Sequence, residues 1–329
     1  MPAPGSSEWL ALVVEDVVDP ERRIVDPHHH LWPRGGMLPY TVDDLLGDVR
    51  AGHRVDATVF MECHVAYRAD GPAALRPVGE SEFVATAAEQ SGGLIAAMVG
   101  HADLRAPELD DVLDAHVAAS GGLFRGVRDA LSRAEPDLGL MIAGGAPEGL
   151  FEDPAFRDGV ARLGARGFTY DSWHYHYQNR EFLALARAVP DTQMVLDHFG
   201  TPIGIGRFAE QRDEVFAAWQ DDIAAIARCE NVVAKLGGMA MPDNGFGWHT
   251  ADRPPTSDEF VAAQGRYYRH TIECFGPDRC MFESNFPVDR MSLSYPVLWN
   301  ALKKIAAPYS EAEQDAMFSG TATRVYGVP

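Results

Sequence analysis

The sequence predicts an α/β protein, a closed (β/α)8 TIM barrel forming a single domain with a short N-terminal extension. Eight short, β-branched apolar segments alternate with longer segments of helical periodicity. An open doubly wound sheet would favour a Gly-x-Gly-x-x-Gly turn after the first strand segment, and the sequence has no such turn there. The 329-residue length suits one barrel domain. We therefore assign residues 1–22 to an N-terminal arm and residues 23–329 to the barrel.

The eight predicted strands are short apolar runs, each followed by a loop that carries polar residues. In order, they span residues 23–29, 57–64, 94–102, 122–130, 167–173, 193–199, 231–238 and 279–286. Amphipathic segments separate and follow them, and several begin after Asp, Ser, Thr or Asn and stop at Gly or Pro, as helix caps do. These predicted helices span residues 41–52, 80–93, 107–120, 154–167, 179–190, 212–229, 257–276 and 310–327.

Composition narrows the classes of partner. The formal net charge of −20 disfavours nucleic acid and anionic membrane surfaces, which would repel the chain. No run of 18 apolar residues predicts a membrane span. The N-terminus has acidic residues inside its apolar stretch and no basic region before it, so it does not resemble a secretory signal. The four cysteines form no C-x-x-C pair, which favours a reducing cytoplasm. We expect a small-molecule substrate, and the sequence leaves open whether the chain forms a homo-oligomer.

Polar residues collect where the predicted strands end. In a barrel these carboxyl ends converge on one mouth, where active sites form. The residues that occupy this position are His28, His30, Glu62, His64, His101, Arg125, Arg128, Asp171, Trp173, His198, Lys235 and Asn285.

The first strand ends in three consecutive histidines, in "VDPHHHLW" at residues 25–32. Side chains alternate along a strand, so His28 and His30 share one face while His29 points towards the helical shell. Two residues span about 6.6 Å at a rise of roughly 3.3 Å per residue, so both imidazoles can converge on one ion.

This stretch, together with "FRGVRDA", "VLDHFGTP" and "CMFESNFPVD", resembles the amidohydrolase superfamily, in the branch that includes 2-pyrone-4,6-dicarboxylate lactonase and sugar lactonases. The resemblance covers nearly the whole chain from Ile24 onward. It implies a reaction centre at His28, His30 and His198. It also places Asn285 where the family's "GSDWP" motif has an aspartate.

Asn285 stands at the position of the family aspartate that serves as general base and often as a metal ligand. An amide nitrogen cannot accept a proton, so another group must act as base. Glu283 lies two residues earlier, where the family has glycine, and Asp289 lies just beyond. We consider these two carboxylates as alternatives, with Glu62 behind them.

The metal-ligand residues also differ from the family pattern. Binuclear relatives use a fourth-strand lysine or glutamate and a fifth-strand histidine, which "FRGVRD" and "TYDSW" lack. The resemblance therefore implies at most one divalent metal, held by His28, His30 and His198, a ligand set that suits zinc with an open fourth position. Metal-independent activity is the alternative, with the same histidines donating hydrogen bonds to a carbonyl.

The expected activity is hydrolysis of a lactone or related cyclic ester of a small, carboxylated substrate, whose carbonyl the histidines polarise. Arg128 is expected to hold the carboxylate by bidentate pairing, and Arg125 faces the other side unless the strand ends between them. The segment "YDSWHYHYQNR" resembles the family's "FDAWLYHPQ" and is expected to shape the pocket. The residues expected to contact substrate are Arg128, Arg125, Trp173, Tyr175, His176, Glu62, His64 and Lys235.

Two other functions remain open. Non-oxidative decarboxylation of an aromatic acid occurs in another branch of the superfamily, but that branch usually opens with E-x-H and keeps the last-strand aspartate. Loss of that aspartate could instead mark a catalytically silent barrel that binds a ligand.

Overall fold

Eight parallel strands, β1 to β8, follow one another round a barrel in the computed structural model, which describes residues 2–33 and 38–329. Each strand pairs with the next along the chain, and His29 at the end of β1 bridges to Phe286 after β8. The predicted TIM barrel is thereby confirmed. The strands span Ile24–His29, Val55–Met61, Ile95–Gly100, Phe124–Val127, Thr169–Ser172, Met194–Leu196, Val232–Leu236 and Cys280–Phe282.

Eleven α-helices in the described ranges surround and extend this barrel. They are α1 to α11, at Ser7–Leu10, Val42–Val49, Val78–Gln90, Leu109–Ala119, Pro154–Ala165, Asn179–Ala188, Arg212–Ile226, Ser257–Phe275, Tyr295–Ala306, Glu311–Asp315 and Thr321–Tyr326. The predicted helix over 310–327 is divided into α10, a π-helical turn at Ala316–Gly320 and α11. Helix α9 was not predicted. Ten of its twelve residues are buried, and the N-cap Ser294 with Pro296 in the first turn is a helix-start signal that the sequence carries.

Side-chain alternation along the strands separates two apolar regions. Val59 and Val233 belong to the cluster inside the barrel, whereas Phe60 and Ala234, one residue on, pack towards the helices. The C-terminal Tyr326 joins the inner cluster. The barrel interior is thus filled with side chains, and a cavity can form only at its mouth.

The N-terminal arm lies against the last helices. The Trp9 Nε1 donates to the Ala251 carbonyl, and the Glu15 carboxylate accepts hydrogen bonds from Ser257 and Asn300. Met1 lies outside the described residues. Within those residues, no helix has both the length and the apolar character needed to cross a membrane.

Candidate active site

A cavity of about 260 Å³ opens at the carboxyl ends of the strands. It collects side chains that follow every strand except β3, although these are far apart in sequence. Its lining comprises His30, Trp32, Glu62, Cys63, His64, Arg128, Ala130, Ile142, Trp173, His198, Met241, Asn285 and Val288. Seven of these residues were expected from the sequence, namely His30, Glu62, His64, Arg128, Trp173, His198 and Asn285.

Beside the cavity, the Glu283 carboxylate lies between two imidazoles. Its Oε1 is 2.6 Å from His198 Nδ1, and its Oε2 is 2.8 Å from His28 Nδ1. All three side chains are buried. The chain after β7 passes close by, since a Cβ at Gly237 would lie 2.3 Å from Glu283 Cγ and one at Gly238 2.3 Å from His198 Nδ1. Glycine at both positions is therefore what leaves room for this contact.

The backbone that carries His198 is held in an unusual conformation. His198 and Phe199 have φ values of 53° and 58°, in the left-handed region that non-glycine residues seldom adopt. The Trp219 indole donates to the Phe199 carbonyl at 2.8 Å and helps to hold the turn. Such strain persists where the surrounding structure imposes it, and it collects at functional sites.

In the described residues, no placement of protons on neutral His28 and His30 gives all of their ring nitrogens a matching partner. The Met61 carbonyl, 2.9 Å from His30 Nδ1, requires a proton there, so neutral His30 has a bare Nε2. That Nε2 lies 3.2 Å from His28 Nε2, which must then carry the His28 proton. His28 Nδ1 is left bare against the Glu283 carboxylate. In the opposite His28 tautomer the proton is on Nδ1, and the Nε2 atoms of His28 and His30 then face each other with no proton between them.

A cation bound between His28 Nδ1 and the Glu283 carboxylate would satisfy both groups. Extra protons are disfavoured, because burial lowers the pKa of His28 well below its usual value and, with the Arg128 charge, lowers that of His30 to about 3. His28, His198 and Glu283 each offer a ligand atom, all within 4.8 Å of one another. Two imidazoles and a carboxylate form a set that zinc accepts. These residues therefore fit the divalent metal that the resemblance implied.

The predicted ligand set of His28, His30 and His198 is not the compact one. In the described residues, the groups of potential ligands within that distance are His28 with His198 and Glu283, and Glu62 with His64 and His101. His30 belongs to neither group, although the Met61 carbonyl at its Nδ1 leaves its Nε2 3.2 Å from His28 Nε2. Glu283 takes its place, and the sequence placed this residue only among the candidate bases.

Arg128 lines the cavity but is already paired with carboxylates of the chain. Its Nε lies 2.7 Å from Glu62 Oε1, its Nη2 donates to the Glu62 carbonyl, and its Nη1 lies 3.5 Å from Asp197 Oδ2. Burial opposes ionisation of Glu62, yet the guanidinium charge lowers the pKa of that carboxyl below its usual range. Glu62 and Asp197 therefore already match the charge of Arg128 that was expected to anchor a substrate carboxylate.

Two predicted substrate contacts lie away from the cavity. Arg125 lies near the start of β4, where its Nε donates to the Tyr326 carbonyl of the C-terminal segment at 2.7 Å. Lys235 is fully buried inside the barrel, with its Nζ 2.9 Å from Asp171 and 3.1 Å from Asp197. Arg125 is thus held by the backbone of the C-terminal segment, and Lys235 compensates two buried carboxylates. Neither side chain is available to a substrate at the mouth.

Two aromatic residues after β5 support the wall from behind instead of lining it. The Tyr175 hydroxyl donates to the Ile142 carbonyl at 2.7 Å and accepts from the Gly144 amide. His176 Nδ1 accepts from the Ile203 amide at 3.1 Å. Both side chains are buried, and they hold the loops that surround the cavity.

The two candidate bases differ in their contacts. Asp289 accepts hydrogen bonds from the Asn285 side-chain amide at 3.0 Å and from the Ala240 amide at 3.2 Å, and it does not line the cavity. Burial raises its pKa to about 7. Glu283 contacts two imidazoles instead, and one of them, His198, lines the cavity.

Sequence reasoning missed most of the apolar lining. Ile142 and Met241 stand in loops where no motif marks them. Trp32 and Val288 lie within the motifs "VDPHHHLW" and "CMFESNFPVD", and these positions were the signals available. Asp197 was also missed, although it precedes His198 in the same segment and contacts both Arg128 and Lys235.

The amidohydrolase family model matches residues 25–328. An uncharacterized protein of Sinorhizobium fredii, y4mH, is 31% identical over 93% of this chain and 98% of its own length. An L-fucono-1,5-lactonase of Burkholderia multivorans is 31% identical over 71% of this chain and 72% of its own length. An amidohydrolase of the same species, crystallised with bound zinc, has 26% identity and a TM-score of 0.74, covering 93% of this chain and 99% of that one.

Proposed function

This chain belongs to the amidohydrolase family and is a hydrolase, and from that premise we propose that it opens the ring of a small, uncharged lactone bound in the cavity. The observation that carries the proposal is the contact of Glu283 with His198 at the cavity, beside the fixed charge of Arg128. Similarity to a relative named as a lactonase supports the reaction class.

The dyad of His198 and Glu283 supplies the general base. With His198 Nδ1 donating to the Glu283 carboxylate at 2.6 Å, the free ring nitrogen is Nε2, which can accept a proton from water. The carboxylate holds the tautomer and stabilises the imidazolium that forms, as in other acid–histidine pairs. This arrangement replaces the family aspartate, because Asn285 cannot take a proton.

Arg128 supplies positive charge to the carbonyl oxygen. The guanidinium is buried and held in place by Glu62 and Asp197, so it need not reorganise as negative charge develops. Because its charge is already matched, we assign no substrate carboxylate to it. The apolar lining, which includes Trp32 and Trp173, packs against an uncharged ring.

The reaction follows from these positions. Water attacks the carbonyl carbon while its proton passes to His198 Nε2. The ring C–O bond then breaks, and the same proton returns to the departing ring oxygen. The product is a hydroxy acid, and the base is restored for the next cycle.

A divalent metal, by analogy with the zinc of the similar structure, would be held by His28, His198 and Glu283. When bound, it would supply Lewis-acid polarisation of the ester carbonyl. Metal-independent turnover through the His198–Glu283 dyad is the alternative.

The test is acid release from a panel of uncharged and carboxylated lactones, with chelator-treated and zinc-loaded protein. We expect faster ring opening of uncharged lactones and a loss of turnover in His198→Asn. His270→Asn, on α8 and away from the cavity, is the matched control and should match the wild type. Carbon dioxide release from aromatic acids without lactone opening, or ligand binding without turnover, would contradict the proposal.

A further inference from the structure

We propose that Glu62, His64 and His101 form a second divalent-cation site, on the rim of the cavity. Glu62 and His64 follow β2, and His101 follows the neighbouring β3, so adjacent strand ends bring the three together. Each offers a ligand atom, and these atoms lie within 4.8 Å of one another. The site shares no residue with the group formed by His28, His198 and Glu283, and it does not depend on the proposed lactonase activity.

The contact between Glu62 and His64 has the spacing of two ligands on one ion. Glu62 Oε2 lies 3.2 Å from His64 Nε2, but no group in the described residues donates an aligned hydrogen bond to that oxygen. Zinc binds nitrogen at about 2.0–2.1 Å and carboxylate oxygen at about 2.0–2.2 Å, which at a tetrahedral angle separates the two ligands by about 3.4 Å. With Glu62 only 3% exposed, its unpartnered oxygen is costly without a cation.

Neighbouring groups orient the ligands. Arg128 holds the other oxygen of Glu62 at 2.7 Å, which fixes the rotation of the carboxylate. The Arg128 carbonyl lies 3.3 Å from His101 Nδ1, so a proton on that nitrogen leaves His101 Nε2 bare. Hydrogen bonds of this kind, from the non-ligating nitrogen to a backbone carbonyl, are typical of metal-binding histidines.

The rim position leaves the ion accessible. The His64 side chain is 66% exposed, and Glu62 and His64 both line the cavity. The His64 backbone has a φ of 62°, in the left-handed region that non-glycine residues seldom adopt. Two imidazoles and one carboxylate favour zinc and neighbouring transition metals over magnesium or calcium. The ion would therefore present its open positions to solvent and to a molecule in the cavity.

The test counts Zn²⁺ ions bound by chelator-treated full-length protein, using equilibrium dialysis at micromolar free Zn²⁺ and elemental analysis. The wild type should bind two ions, and His101→Asn should bind one. Glu283→Gln should also bind one, and combining the two substitutions should leave none. His270→Asn is the matched control and should keep both ions.

An unchanged Zn²⁺ count in His101→Asn would overturn the proposal, as would a wild-type count of one that only Glu283→Gln removes. Circular dichroism checks the fold of each variant. His64→Asn replaces an exposed side chain and gives a second test if His101→Asn does not fold. This variant should also lose one ion, and retention of both would again overturn the second site.

Discussion

Replacing Glu283 by glutamine tests the proposed base most directly. Glutamine keeps the volume of the side chain, so no cavity opens between the two imidazoles. Its amide oxygen can still accept the hydrogen bond that His198 Nδ1 gives to Glu283 Oε1 at 2.6 Å. Only the negative charge that stabilises the protonated imidazole is removed.

The expected loss follows from that charge. Once His198 takes a proton, its positive charge and the carboxylate charge lie about 4 Å apart, where unit charges interact by about 4 kcal/mol at an effective dielectric constant of about 20. Since about 1.4 kcal/mol corresponds to tenfold in rate, kcat should fall by about a thousandfold. This value lies within the range of about 10²–10⁴ that general-base catalysis contributes.

The assay is initial-rate hydrolysis of the best lactone in the panel, at saturating concentration, with chelator-treated and with zinc-loaded protein. Both states are needed because Glu283 also belongs to the metal-capable group. Asp289→Asn is the matched comparison, since it removes a nearby buried carboxylate that contacts Asn285 and no imidazole. Its kcat should fall by less than tenfold. The reasoning is refuted if Glu283→Gln retains more than a tenth of wild-type kcat, or if Asp289→Asn loses more activity than Glu283→Gln does.

Three further substitutions test other parts of the structure. In Gly238→Ala, a Cβ 2.3 Å from His198 Nδ1 at a φ of 67° should lower kcat at least tenfold and the free energy of unfolding by about 1–3 kcal/mol; wild-type initial rates would contradict this. Lys235→Met removes the ion-pair partner of the buried Asp171 and one of the two cations that contact Asp197, and it should cost about 3–5 kcal/mol in urea unfolding; a change under about 1 kcal/mol would count against it. Burial lowers the pKa of His116 to about 4. Below pH 6.5 the unfolded chain therefore binds more protons than the folded chain does. The free energy of unfolding should fall from pH 6.5 towards pH 4, by up to about 1.4 kcal/mol per pH unit for this group. Urea midpoints at pH 7 and pH 5 should show a smaller difference in His116→Gln, and an equal difference would contradict the assignment.

Much of the fold could be predicted because its signals are local. Strand alternation placed His28 and His30 on one face and His29 on the other, where the His29 ring lies 3.0 Å from the Thr58 hydroxyl and packs on Phe60. Helix α9 was missed although it too carries local signals, the N-cap Ser294 and Pro296 in its first turn.

The candidate site was only partly predictable, because its pairings join distant strands. The sequence placed Arg128 at a strand end, but only the positions of β2 and β6 show that Glu62 and Asp197 take up its charge. Glu283 and Asp289 could not be ranked from the sequence, since a carboxylate has the same chemistry until its neighbours are known.

By itself, the sequence determined the amidohydrolase barrel and the end of it at which polar residues gather, since hydrophobic periodicity and short motifs depend only on neighbours along the chain. The tertiary structure alone decided that Glu283 meets His28 and His198, that Arg128 is already paired, and that Ile142, Met241 and Val288 add an apolar part to the cavity wall. The physical reason is that protonation, ion pairing and ligand geometry depend on distances of a few ångströms between residues tens to hundreds of positions apart. Those distances exist only once the barrel has closed.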